Sequence, residues 1–211
     1  GYDRLQIATT ATVTGAAFAL ETNFTPAFGA QFVIITNVTG AFAGVSQGAT
    51  IVSNGVRFRV SYTGGDGNDL TLTVDGPPSI GPLPDRTILE NQTLGPIEFA
   101  VSDDFTAASG LIVSASSSNT GLVANDQITL AVAGGGSTRT LKIVPTPFVS
   151  GTTTITLTLS DGTLTSQRSF QLTVTPAPRY LFSEGATGSF FDTEVLIANP
   201  QATAAPVRII V

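Results

Sequence analysis

With no histidine and no cysteine in 211 residues, carboxylates, hydroxyls and a single lysine must carry whatever chemistry this chain performs. The usual general base and the commonest metal ligand are gone with histidine. A disulfide framework and thiolate metal sites are gone with cysteine. What remains suits a hard cation such as calcium, which takes carboxylate and carbonyl oxygens. Candidate ligands are carboxylates at strand ends or in connections: Asp75, Glu90, Asp103, Asp104 and Asp161. Asp is equally ordinary in turns and solvated loop tips. Catalysis finds less support. Asp103 and Asp104 are adjacent, and neighbours along a strand point to opposite faces, so they make a poor acid–base pair. No nucleophile elbow or phosphate loop occurs. The sequence predicts no enzyme.

A second acidic group lies in Gly64-Gly65-Asp66-Gly67-Asn68-Asp69. Its glycine and aspartate spacing fits the start of a calcium-binding nonapeptide, which adds Asp66 and Asp69 to the candidates. However, Thr71 stands where that repeat needs a large apolar residue, and only one copy is present. A glycine-rich hairpin loop is the plainer reading.

Composition sets the frame for these groups. Charged residues are 11% of the chain, well below the roughly 25% of ordinary soluble domains. Thr, Ser, Asn, Gln and Gly must therefore build the polar surface, as in many extracellular β-proteins. A hydrophobic fraction of 42% is enough for packed cores. The net charge of −6, with no basic block, argues against nucleic acid. No run approaches the roughly 18 apolar residues of a membrane span, so no membrane insertion is expected. No signal peptide opens the chain, and both ends read as strand, as in a piece of a longer polypeptide.

The elements that must position the carboxylates are strands. Ile155, Leu157 and Leu159 alternate with threonines, and Phe170, Leu172 and Val174 resume the alternation after Asp161-Gly162. The dipeptide predicts a tight type I′ turn. A two-residue turn would place Arg168 on the core-facing parity, which is costly. A β-bulge or longer turn between Thr163 and Ser169, or an overhang, is therefore expected. Five more strand-like runs follow the proline-rich break at 76–84, at sandwich spacing: 87–89, 97–102, 111–116, 127–132 and 140–144. Before the break, runs at 5–8, 11–14, 16–20, 32–36 and 56–62 are strand-like. Val56, Phe58, Val60 and Tyr62 face Leu70, Leu72 and Val74 across the glycine-rich tip, while Arg57 and Arg59 point the other way.

Three resemblances organise these observations. Phe24-x-Pro26, Gly40-x-Phe42-x-Gly44 and Ser61-Tyr62-Thr63-Gly64-Gly65-Asp66-Gly67-Asn68-Asp69 resemble the last repeat of bacterial autotransporter and haemagglutinin-like adhesins. That likeness implies a β-helix terminal repeat, or cap, over residues 1–75. Pro77-Pro78, Asp85-x-Thr87-Ile88, Val101-x-Asp103, Ser116-Ser117-Ser118-Asn119-x-x-Leu122-Val123 and Leu159-Ser160-Asp161-Gly162-Thr163 resemble bacterial cadherin-like and Ig-like tandem repeats. They imply an Ig-like β-sandwich over 85–175 behind a linker at 76–84. Calcium sometimes stiffens such repeats at domain junctions. Tyr180-Leu181-x-x-Glu184-Gly185 and Leu196-x-Ala198-Asn199-Pro200 resemble the opening of a further surface β-repeat, so 176–211 reads as the start of an incomplete β-domain.

The expected molecule is therefore all-β: a β-helix-like cap, an Ig-like or cadherin-like sandwich and a truncated third β-module. Its expected role is a rigid spacer or adhesion module of a bacterial cell-surface or secreted protein. Expected partners are neighbouring repeats of the same polypeptide and host or cell-surface glycans or proteins. The alternative is a carbohydrate-binding accessory module of an extracellular polysaccharide-active enzyme, with Tyr62 or Tyr180 in contact with sugar. Calcium is the one cofactor considered, on Asp66, Asp69, Asp75, Glu90, Asp103 and Asp161.

Overall fold

A computed structural model describes Leu5 and residues 8–133 and 136–178. The third β-module, with Tyr180, Phe190 and Phe191, lies outside the described residues.

The first unit holds an antiparallel sheet in the order β2-β6-β5-β4, from Gln31–Ile35 (β2), Thr50–Ser53 (β4), Val56–Gly64 (β5) and Asp69–Val74 (β6). Phe58, Val60, Leu70, Leu72 and Val74 bury the face that the alternation predicts, and Arg57 and Arg59 leave from the other. Among the described residues of this unit, the parallel stacking expected of a β-helix is confined to the amino-terminal run. Leu5 bridges Ile35, and Ala11–Thr12 (β1) pairs with Val38–Thr39 (β3), all in parallel. Main-chain bonds from Val13 to Thr39 and from Ala43 to Ala16 extend that run. Residues 16–20 form no strand, although Phe18 and Leu20 pack on the core. Among the described residues this irregular parallel run lies beside an antiparallel sheet, where the resemblance implies parallel coils throughout.

The second unit is a sandwich of two four-stranded sheets. One has the order β11-β12-β9-β7 and the other β10-β13-β14-β8. The strands are Ser79–Ile80 (β7), Arg86–Leu89 (β8), Leu94–Ser102 (β9), Ile112–Ser117 (β10), Ile128–Ala133 (β11), Thr138–Ile143 (β12), Gly151–Ser160 (β13) and Thr165–Thr175 (β14). Read in chain order these are the A, B, E and D strands of an immunoglobulin fold on one side and C, F, G and a second part of A on the other. The first strand changes sheets, with β7 pairing β9 antiparallel and β8 pairing β14 in parallel. Leu141, Ile143, Ile155, Leu157, Leu159 and Leu172 fill the space between the sheets with essentially no exposure. The core also takes Ile80 and Leu83 from the stretch that reads as linker. Prolines there limit pairing to two residues without keeping the chain out of the domain. The link between β6 and β7 is thus only the four residues Asp75 to Pro78.

The hairpin that joins β13 to β14 departs from the two-residue turn. Ser160 pairs with Thr165, which leaves a four-residue loop from Asp161 to Leu164. Arg168 still lies opposite Leu157, on core parity, yet it is exposed. Strand β8 covers β14 only from Leu172 onward, so Arg168 sits on an open edge where its head reaches water.

Candidate metal centre

Three loops of the sandwich converge at the end that receives the first unit: the short link, the loop after β9 and the β13–β14 turn. Each carries one aspartate of a cluster, Asp75, Asp103 and Asp161, with one ligand oxygen apiece lying within 4.8 Å of the others. Two oxygens on opposite sides of a calcium ion at about 2.4 Å are about 4.8 Å apart, so the three are close enough for one ion to reach them all.

Backbone geometry aims two of these carboxylates. Asp103 Oδ2 accepts from the backbone N–H of Phe105 at 2.9 Å and of Thr106 at 2.6 Å. Asp161 Oδ1 accepts from Thr163 N and Leu164 N, both at 2.6 Å. In each case the local turn holds one oxygen, and the other, Asp103 Oδ1 or Asp161 Oδ2, is buried without a hydrogen bond. These are Asx-type turns, which explains why Asp suits both positions even without a ligand. They also fix the unused oxygen, so presenting it to a cation costs little further side-chain entropy.

Asp75 is different. It is 2% exposed, and neither oxygen has a hydrogen-bond donor aligned on it. Its compensation is an ion pair at 2.8 Å with Arg57 Nη1, which also lies 3.6 Å from Asp161 Oδ2 and donates to Thr163 Oγ1 at 2.8 Å. One guanidinium thus faces several buried acidic oxygens. Burial pushes the Asp75 carboxyl up to about 6; Arg57 opposes the rise, and the charges of Asp161, Asp104 and Asp103 add to it. A buried carboxylate left with so little compensation is costly at neutral pH, and a divalent cation would offset that cost.

Arg59, one turn of the pleat along β5, completes the junction. Its Nη1 and Nη2 donate to the carbonyls of Asp104 and Phe105, both at 2.7 Å, and its guanidinium stacks 4.2 Å from the Phe105 ring centre. Both arginines therefore cross from the first unit to loops of the second. Alternation along β5 places both on the outward face, away from the core of the first unit. The available signal was two of only nine basic residues at i and i+2 on one strand.

The other sequence candidates lie elsewhere. Asp66 is exposed at the β5–β6 tip. Asp69 is buried there, and its Oδ1 accepts from Asn37 N at 3.1 Å, which ties the tip to the β2–β3 connection. Glu90 is buried beyond β8, at the opposite end of the sandwich, where its Oε1 accepts from Ala177 N at 3.0 Å. Neither Asp66 nor Asp69 nor Glu90 joins the cluster. Tyr62, one of the tyrosines considered for sugar contact, uses its hydroxyl on the main chain, accepting from Phe42 N and donating to Val45 O.

No family model matches the chain, and no curated protein matches it. Solved structures do. A chimeric titin Z1Z2 carrying a peptide from decorin aligns over 49% of this chain and 98% of its own, at 17% identity and a TM-score of 0.36. Titin domains Z1Z2 in complex with telethonin align over 48% of this chain and 49% of their own, at 18% identity and 0.35. An endo-fucoidan hydrolase of glycoside hydrolase family 107 aligns over 78% of this chain and 24% of its own, at 16% and 0.36. The immunoglobulin-like assignment rests on strand order and pairing.

Proposed function

We propose that this chain is a non-catalytic structural segment of a bacterial surface or secreted protein, a spacer or adhesive module whose joint binds calcium. The observation that carries the reading is the junction itself. Three inward carboxylates meet where two β-units are joined by four residues and bridged by Arg57 and Arg59. A cation there would tie the link, the β9 loop and the β13–β14 turn to one point. Divalent ions bound by several loops restrict the motion of all of them, which is what a spacer in series requires. Neighbouring modules of the same polypeptide are the partners this role implies, with glycans or proteins of a cell surface as adhesive targets.

Small-angle scattering on the full chain, with calcium and with chelator, tests the proposal. An elongated particle that becomes less variable in calcium is the expected result. A compact globule, or profiles indifferent to calcium, would contradict it.

A further inference from the structure

The same junction holds a cation of its own. Resting on the calcium reading above, we propose that Arg57 sets the affinity of the centre: its guanidinium holds the carboxylates together in the absence of metal and keeps divalent ions weakly bound.

The geometry gives three reasons. First, Nη1 lies 2.8 Å from Asp75 Oδ2 and 3.6 Å from Asp161 Oδ2, so it already faces oxygens that a metal would use. Calcium needs its oxygens at 2.3–2.6 Å and must share them with a like charge a few ångströms away. Second, the arginine is not free to leave. Its backbone carbonyl accepts from Asp75 N at 3.0 Å, and its Nη1 is anchored to Thr163 Oγ1. Third, charge balance leaves room for both. Three carboxylates and one guanidinium sum to −2, which a divalent ion neutralises and a monovalent ion does not. The result is a site held assembled by an internal cation and open to divalent ions in the weak range of about 10⁻⁴–10⁻³ M.

Calorimetric titration of calcium into the full chain at pH 7.5 tests the assignment with Arg57→Gln, Arg57→Lys and Thr163→Ala. Arg57→Gln is expected to bind at least tenfold more tightly than the parent, and Arg57→Lys, which keeps the charge, to stay within about threefold of it. Thr163→Ala lies on an exposed loop, removes only the hydroxyl that holds the guanidinium and keeps the backbone N–H that donates to Asp161 Oδ1. It loosens the guanidinium and should tighten binding by a smaller factor, which keeps the test available should Arg57→Gln fold poorly. Equal or weaker binding in Arg57→Gln and Thr163→Ala, with the parent still binding, would overturn the role of Arg57 and leave the calcium reading standing. Binding in Arg57→Gln with none in the parent would support Arg57 as the resident cation and remove calcium from the natural chain. No binding in any variant would remove both.

Discussion

Two hairpin tips in this molecule carry aspartate and glycine in similar sequence, and they use the aspartate in opposite ways. At the β5–β6 tip, Asp69 turns back into its own unit and its carboxylate secures the main chain at Asn37. At the β13–β14 tip, Asp161 secures its own turn with one oxygen and leaves the other buried and unbonded beside Asp75 and Asp103. The difference lies in what each tip meets. The first closes on its own unit; the second meets a neighbouring one that brings Arg57 and Asp75. A glycine-rich acidic loop is therefore a poor indicator of a cation site unless the fold leaves one carboxylate oxygen without work.

Glycine substitution gives the largest expected contrast between the tips. A Cβ on Gly64 would lie 2.2–2.9 Å from the side chain of buried Thr71. Gly64→Ala should therefore cost on the order of 3 kcal/mol by overpacking, read as a lower denaturation midpoint of the first unit. At the other tip Gly162 has φ +96° and open space around its Cβ position. Gly162→Ala should cost only about 1 kcal/mol, the strain of a left-handed backbone. Equal costs at the two tips would break the contrast.

A smaller effect is expected from pH. In chelator, folded Asp75 titrates near 6 against an ordinary value of 3.8, so between those values the folded chain holds a proton that the unfolded chain lacks. Stability linked to this group is therefore gained as pH falls through 6 and lost as pH rises through it. Lowering the pH from 7.5 to 5 should add on the order of 1 kcal/mol, measured by urea unfolding. Asp75→Asn should flatten that dependence. A parent chain whose stability falls steadily over this interval would contradict the burial account. Calcium at ten times its dissociation constant should add a comparable amount, about 1.4 kcal/mol, at pH 7.5.

The sandwich was legible because its strands obey period-two alternation, and β9 to β14 begin and end within a few residues of the expected positions. The first unit was less so. Its parallel stretch is short, and Phe18 and Leu20 pack from irregular backbone, which alternation cannot distinguish from a strand. Thr50–Ser53 gave no alternation strong enough to mark β4. The linker misled because Pro77-Pro78 announces a break, while Ile80 and Leu83, only a few residues later, are already core. For the site, residue type selected Asp75, Asp103 and Asp161 together with Asp66, Asp69 and Glu90. Sequence could not separate the two sets, because separation depends on loops more than twenty-five residues apart meeting at one end of a sandwich. The same holds for Arg57 and Arg59, whose partners lie about a hundred and about forty-five residues away.

Calcium titration of the full chain beside Asp103→Asn and Asp69→Asn tests the central claim most directly, because it sets the two tips against each other in one experiment. The account predicts a single site at pH 7.5 that Asp103→Asn abolishes and Asp69→Asn leaves unchanged. Loss of binding in Asp69→Asn with retention in Asp103→Asn would contradict it.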